Sequence, residues 1–263
     1  GRGGGDRGDL QGEMTALPEG FLARSVAHRA LHGPGRPENS RAAVRAAVAA
    51  GFAIEIDLQL SADRVPMVFH DGGLGRLTRE TGPLRARRAA ELGRIPLTGG
   101  DEGIPTFAEV LEIVGGRVPL VVEIKDQSGD LGPTDGVLEA AAAEAAQGYA
   151  GPLAFMSFSP HSVGALAAAA PAVPRGLVTC AFRAVDWPRL PARRRATLAR
   201  IDEVGRTGAA FVSHRHRYLS MPRIAELKAE GLPVLTWTIR SPGAARAALR
   251  VADQITFEGY DPP

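Results

Sequence analysis

Lysine is almost missing from this chain: of its 31 basic residues only Lys125 and Lys228 are lysines, the rest being arginine. A lysine inside a strand therefore stands out. Cysteine is scarcer still. The single Cys180 excludes an intramolecular disulfide, fits a reducing compartment, and reads as an inert core residue. No long hydrophobic run is present. The longest apolar stretches are alanine-rich, are broken by Arg, Glu or Pro, and fall short of the roughly 20 residues a membrane-spanning helix needs. Stable membrane insertion is not expected. Charge of one sign is lacking too: the net charge is +2, too small to argue for nucleic acid as a partner. The run Arg193-Arg194-Arg195 reads as a solvated helix face. Aromatics make up only 5% of the residues, so no apolar rim for a lipid is expected. Gly1 to Glu13 is glycine-rich and charged, without the apolar core of a secretory signal. With the lone cysteine this gives a cytoplasmic expectation, a disordered tail over residues 1–20, and one domain over residues 21–263.

What is present is a rhythm. Short apolar strands alternate with alanine-rich helical stretches. Strands are expected at Ser25–His28, Ala53–Leu60, Val65–Phe69, Val118–Lys125, Leu153–Met156, Gly176–Thr179, Ala210–Val212, Pro233–Thr238 and Gln254–Thr256. Between them, Asn39 or Ser40 caps a helix over Ala42–Ala50, and helices follow at Phe107–Val114, Asp135–Gln147, His161–Ala170, Pro191–Asp202, Pro222–Glu230 and Pro242–Leu249. About eight strand–helix units without a long linker predict a closed (β/α)8 TIM barrel in the α/β class. Gly72-Gly73-Leu74-Gly75 opens no helix in the G-x-G-x-x-G pattern, so a dinucleotide fingerprint is absent.

Charge appears where such a barrel should be dry. Side chains alternate across a strand, so in Ala53-Ile54-Glu55-Ile56-Asp57-Leu58 the isoleucines and leucine share one face while Glu55 and Asp57 share the other. In a parallel barrel both faces are enclosed. Two inward carboxylates would each cost several kcal/mol, roughly, unless something positive sits between them. The strand Val121-Val122-Glu123-Ile124-Lys125 repeats the pattern with Glu123 and Lys125. A lone Glu-x-Asp would also suit an edge strand with solvated charges; the second charged strand decides for the inward arrangement. Three carboxylates and a lysine near strand ends fit a hard divalent cation, Mg²⁺ or Ca²⁺, beside a phosphate. His28, followed by Arg29, and His70, followed by Asp71, end two further strands, where barrel active sites form. Histidine suits proton transfer near neutral pH, and the arginine fork suits a phosphate oxygen.

In this order, His28-Arg29, Pro37-Glu38-Asn39-Ser40, Glu55-Ile56-Asp57, Val68-Phe69-His70-Asp71, Ile104-Pro105-Thr106-Phe107 and Glu123-Ile124-Lys125 resemble the glycerophosphodiester phosphodiesterase family of the phospholipase-C-like barrel superfamily. Ser157-Phe158-Ser159-Pro160 and Gly231-Leu232-Pro233-Val234-Leu235-Thr236-Trp237-Thr238 extend the likeness toward the C-terminus. The resemblance implies metal ligands at Glu55, Asp57 and Glu123, and general acid and base at His28 and His70. It implies substrate binding by Arg29 and Lys125, with Glu38 and Asn39 in the first loop and Trp237 walling the glycerol or leaving-group side. The implied reaction frees sn-glycerol 3-phosphate and an alcohol from a small glycerophosphodiester, through a cyclic phosphate formed by the glycerol 2-hydroxyl. Oligomeric state, the choice of cation, the leaving alcohol, and which histidine is the acid stay open. Two positions depart from the family pattern: Ala30 replaces the usual glycine, and Phe257-Glu258 leaves Glu258 without an assigned role. His32, His214 and His216 read as solvated loop histidines. A related barrel acting on lysophospholipids, or a non-catalytic phosphodiester-binding barrel, are the alternatives.

Overall fold

The computed structural model describes residues 15–262. Nine strands run as β1 (Val26–Ala27), β2 (Ala53–Leu60), β3 (Pro66–Val68), β4 (Leu120–Ile124), β5 (Leu153–Ser157), β6 (Arg175–Thr179), β7 (Phe211–Arg215), β8 (Val234–Ile239) and β9 (Gln254–Phe257). The helices are α1 (Arg41–Ala50), α2 (Ala89–Leu92), α3 (Phe107–Val114), α4 (Val137–Ala145), α5 (Pro160–Ala169), α6 (Ala192–Ala199), α7 (Val204–Thr207), α8 (Pro222–Ala229) and α9 (Pro242–Ala248). Eight strands are parallel neighbours in the order β1-β2-β4-β5-β6-β7-β8-β9, and pairing of β9 with β1 closes the ring. This is the (β/α)8 barrel that the rhythm predicts. β3, expected only as a strand, pairs antiparallel with β2 and lies outside the ring. Only five residues join them, whereas a parallel crossover takes a dozen or more.

Local chemistry explains the element ends. Ser40 caps α1 by accepting from the Ala43 N–H, and Thr106 with Glu109 forms a reciprocal capping box on α3. Ile54, Ile56 and Leu58 join Phe107, Val110, Leu120, Val122 and Phe155 in the shell between strands and helices. The opposite set, Val26, Ala53, Val121, Ala154, Phe211 and Leu235, fills the inside at the N-terminal end of the strands. Gly176 makes room there: a Cβ at that position would lie 2.4 Å from the Phe211 ring. Phe21, only 2% exposed, inserts from the N-terminal segment and closes this floor. Of the expected tail, residues 1–14 lie outside the described residues, while Leu17 sits against the floor and the Thr15 hydroxyl donates to the Pro171 carbonyl. Between β3 and α3 an excursion builds its own small core from Met67, Phe69, Leu74, Leu84, Leu92, Leu97 and Ile104. It carries His70 and Asp71 to the open end of the barrel.

Candidate active site

Above the apolar floor, the inward positions of β1, β2 and β4 turn ionic. Glu55, Asp57 and Glu123 are all buried, and one oxygen of each lies within 4.8 Å of the others. Asp57 and Glu123 are register partners on adjacent strands, with Glu55 one inward step below Asp57. Lys125 Nζ lies 2.7 Å from Glu123 Oε1 and 3.1 Å from Asp57 Oδ1. The Arg29 backbone N–H donates to Glu55 Oε2 at 2.8 Å, and Arg29 Nε lies 3.7 Å from Asp57. Burial favours neutral Asp57, yet Lys125, His70, Arg29 and the Asn39 amide outweigh it and hold the carboxylate well below its ordinary range. Burial likewise opposes charge on Lys125, but Asp57 and Glu123 keep its ammonium firmly protonated. Glu55 goes the other way: burial, then repulsion from Asp57 and Glu123, pushes its pKa well up. This residual excess of negative charge, on oxygen donors facing one point, is what a hard divalent cation would relieve, so the three residues fit such a metal.

The loop after β1 holds this geometry under backbone strain. Arg29, Ala30 and Asn39 all have positive φ, at 53°, 63° and 58°. Asn39 suits that region because its short amide bonds locally: it donates to Asp57 Oδ2 at 2.9 Å while its oxygen accepts from the Asp57 N–H. Ala30 takes the conformation that the usual glycine would, buried and with its N–H on the Glu55 carbonyl. Glu38 accepts from Arg29 and from Arg76. Glu38 and Asn39 do not line the cavity; they hold Arg29 and Asp57 from behind and so steady the first loop.

Both histidines face the cavity, each tied at Nδ1 to a carboxylate 2.6 Å away: His28 to Glu258 and His70 to Asp71. In each ring Nε2 makes no hydrogen bond among the described residues. Burial, then Lys125, lowers the His70 pKa and favours its neutral form. The His28 hydrogen bond and the nearby His32 ring hold Glu258 far below the ordinary carboxylate range, with Arg240 donating to its other oxygen. Asp71 is held at about 2: burial works against this, but Arg76 and His70 outweigh it. Arg76 is a residue that sequence reasoning missed. It forks onto Glu38 and Asp71 together, joining the loop that positions Arg29 to the carboxylate that orients His70.

The far wall is different. A cavity of about 280 Å³ opens from the carboxylates toward Phe158, Arg215, His216, Arg217, Trp237 and Arg240. Trp237 lines it as expected, its Nε1 donating to the Ser213 carbonyl at 2.9 Å. Phe158 meets Trp187 and Trp237 edge-on at 5.1 and 5.6 Å, so the few aromatics of the chain gather at this mouth but turn toward one another. His216 lines the cavity and bonds the Trp237 carbonyl. His214 is no loop residue. It is fully buried on the outward face of β7, bonded to the Thr179 hydroxyl and to the Tyr218 carbonyl, and its pKa is lowered to about 4 by burial. His32 sits 3.5 Å from Glu258.

Comparison with known proteins agrees with this geometry. The model of the "Glycerophosphoryl diester phosphodiesterase family" matches residues 28–257. A Bacillus subtilis (strain 168) protein, YhdW, whose name ascribes it to the glycerophosphodiester phosphodiesterases, is 26% identical over 234 residues, covering 84% of this chain and 87% of that protein. An Oleispira antarctica phosphodiesterase, solved in complex with the product sn-glycerol-3-phosphate, is 26% identical with a TM-score of 0.75 over 90% of this chain and 93% of its own. A Thermotoga maritima glycerophosphodiester phosphodiesterase shares the fold at 19% identity, with a TM-score of 0.68 over 89% of this chain and 94% of that one.

Proposed function

The chain belongs to the glycerophosphoryl diester phosphodiesterase family, and from that premise we propose a metal-dependent hydrolysis of glycerophosphodiesters to sn-glycerol 3-phosphate and an alcohol, with His28 and His70 as the acid–base pair. The observation that carries this reading is the convergence of three buried carboxylates between two carboxylate-tied histidines on one cavity wall. A divalent cation held by Glu55, Asp57 and Glu123, either Mg²⁺ or Ca²⁺, would supply positive charge for the phosphoryl oxygens and for a glycerol hydroxyl. Arg29 and Lys125 add fixed positive charge on the same side, where charge builds up in the transition state. Glu258 and Asp71 accept from Nδ1–H of their histidines, which fixes each tautomer and aims Nε2 inward. One Nε2 takes the proton of the attacking 2-hydroxyl as the other protonates the departing alcohol. The two exchange roles when water opens the cyclic phosphate. The enclosed apolar floor would keep a glycerol hydroxyl bound there near phosphorus rather than near bulk water.

Release of glycerol 3-phosphate from glycerophosphocholine, glycerophosphoethanolamine and glycerophosphoglycerol tests this reading, with Mg²⁺, with Ca²⁺ and with chelator, beside His70→Ala. Turnover that chelator abolishes and the variant lacks is expected. Turnover that survives either change overturns the proposed chemistry, and absence of turnover by folded, metal-supplied protein overturns the reaction.

A further inference from the structure

We infer that the leaving alcohol this site selects carries negative charge, as a phosphorylated or carboxylated polyol does. The inference rests on the glycerophosphodiester reading above and concerns the half of the cavity that reading leaves unassigned. In an eight-strand ring, β7 lies four strands from β2 and so directly across the barrel from Glu55 and Asp57. A diester with its phosphorus near Lys125 and Arg29 must point one of its two arms toward that far wall. Arg215, His216 and Arg217 follow one another there, with Arg240 beside them. From Met156 round to Thr256, no cavity-lining residue is Asp or Glu.

The carboxylates that do touch this wall are already engaged. Asp186 holds Arg215 at 2.9 Å and accepts from the Tyr218 hydroxyl. Glu258 is shared between His28 and Arg240. Arg217 makes no hydrogen bond or ion pair among the described residues, although it faces the cavity. Its charge is thus unanswered by the protein, and a guanidinium fork answers best to a phosphate or carboxylate. Phe158 and Trp237 alone would suit a quaternary ammonium. With guanidinium groups around them and no free carboxylate, the same wall disfavours a cation.

Three diesters that differ in the charge of the leaving alcohol test this: sn-glycero-3-phosphocholine (cationic), sn-glycero-3-phosphoglycerol (neutral), and the latter with a phosphate on its distal hydroxyl (anionic). kcat/KM is expected to rise in that order, by about fivefold per step at low salt, and the spread should narrow at about 0.5 M salt. Arg217→Glu should cut the ratio of anionic to cationic substrate at least ~tenfold, since it reverses one local charge. Equal kcat/KM for the three, or a ratio untouched by Arg217→Glu, overturns the inference. Calorimetric binding of the same diesters to His70→Ala with Ca²⁺ present separates it from the reaction itself. Binding in the charge order without turnover by the native protein sinks the reaction and keeps the inference. Turnover of all three with flat binding does the reverse.

Discussion

The two sides of the cavity are built by different means. On the side of β1, β2 and β4, every functional group is fixed by another ionised group: Lys125 between Asp57 and Glu123, Arg29 on Glu38, His28 on Glu258, His70 on Asp71. On the side of β7 and β8, Trp237 and His216 are held by backbone carbonyls and the aromatic rings by one another, and ion pairs hold only the arginines, Arg215 on Asp186 and Arg240 on Glu258. Deleting one member of a buried ionic set strands its partner's charge, so such a set tolerates little change. A ring on a carbonyl can be replaced at the cost of packing and fit alone. The carboxylate side is therefore an indivisible unit, whereas on the opposite wall the rings and His216 are separable parts, which under the proposed function could tune which alcohol is accepted.

The sharpest test of that contrast pairs one residue from each side. His28→Ala is expected to lower kcat by about 100-fold or more, because the proposed mechanism loses a proton-transfer group. Trp237→Ala should instead raise KM about tenfold with kcat within about threefold, the signature of lost uniform binding. If kcat falls equally in both, the division between the walls fails. Arg76→Met comes next in size. It removes the fork that ties Asp71 to Glu38, so kcat should drop about tenfold, with Arg76→Lys restoring only part because a single ammonium cannot span both carboxylates. An unchanged kcat in Arg76→Met would mean that the two loops hold their geometry independently.

Acid offers a milder way to separate the sides. Asp71, held at about 2, and Glu258, held lower still, have folded-state pKa values depressed below their unfolded ones. Their stabilisation is complete above the unfolded carboxylate range of about pH 4 and drains away as pH falls toward 2. Urea midpoints should decline over that window, and less steeply in Asp71→Asn. The smallest effect belongs to Ala30→Gly. Relief of positive φ at that position exceeds the added entropy of the unfolded glycine, for a net gain of about 0.5 kcal/mol measurable as a raised urea midpoint.

The same contrast governs what the sequence could disclose. Alternation along Ala53–Leu60 and Leu120–Ile124 placed Glu55, Asp57, Glu123 and Lys125 on inward faces before any coordinates, because strand periodicity is local and the charges interrupt an apolar run. The barrel was legible for the same reason. The β3 segment was legible as a strand but not as an antiparallel partner of β2, although five joining residues cannot return a chain to a parallel neighbour. His214 was hidden by its polar surroundings, His-Arg-His-Arg, yet it alternates with Ser213 and Arg215 and so belongs to the outer face of β7. Arg76, Glu258 and Arg217 were beyond reach. Arg76 and Glu258 act through partners that the fold supplies from far along the chain, Arg217 faces a cavity that only the fold forms, and an arginine-rich composition gives no single arginine prominence. The aromatic cluster shows the same blindness, because a low percentage says nothing about where Phe158, Trp187 and Trp237 meet.

The plug formed by Phe21 makes the barrel a cul-de-sac. With no rear exit among the described residues, whatever enters must leave by the same door, and traffic through it has to take turns. In the proposed mechanism the freed alcohol would stand between the cyclic phosphate and the solvent, so water for the second step could queue only after the alcohol had gone. For that mechanism architecture rather than affinity would set the order of departure: alcohol first, sn-glycerol 3-phosphate last.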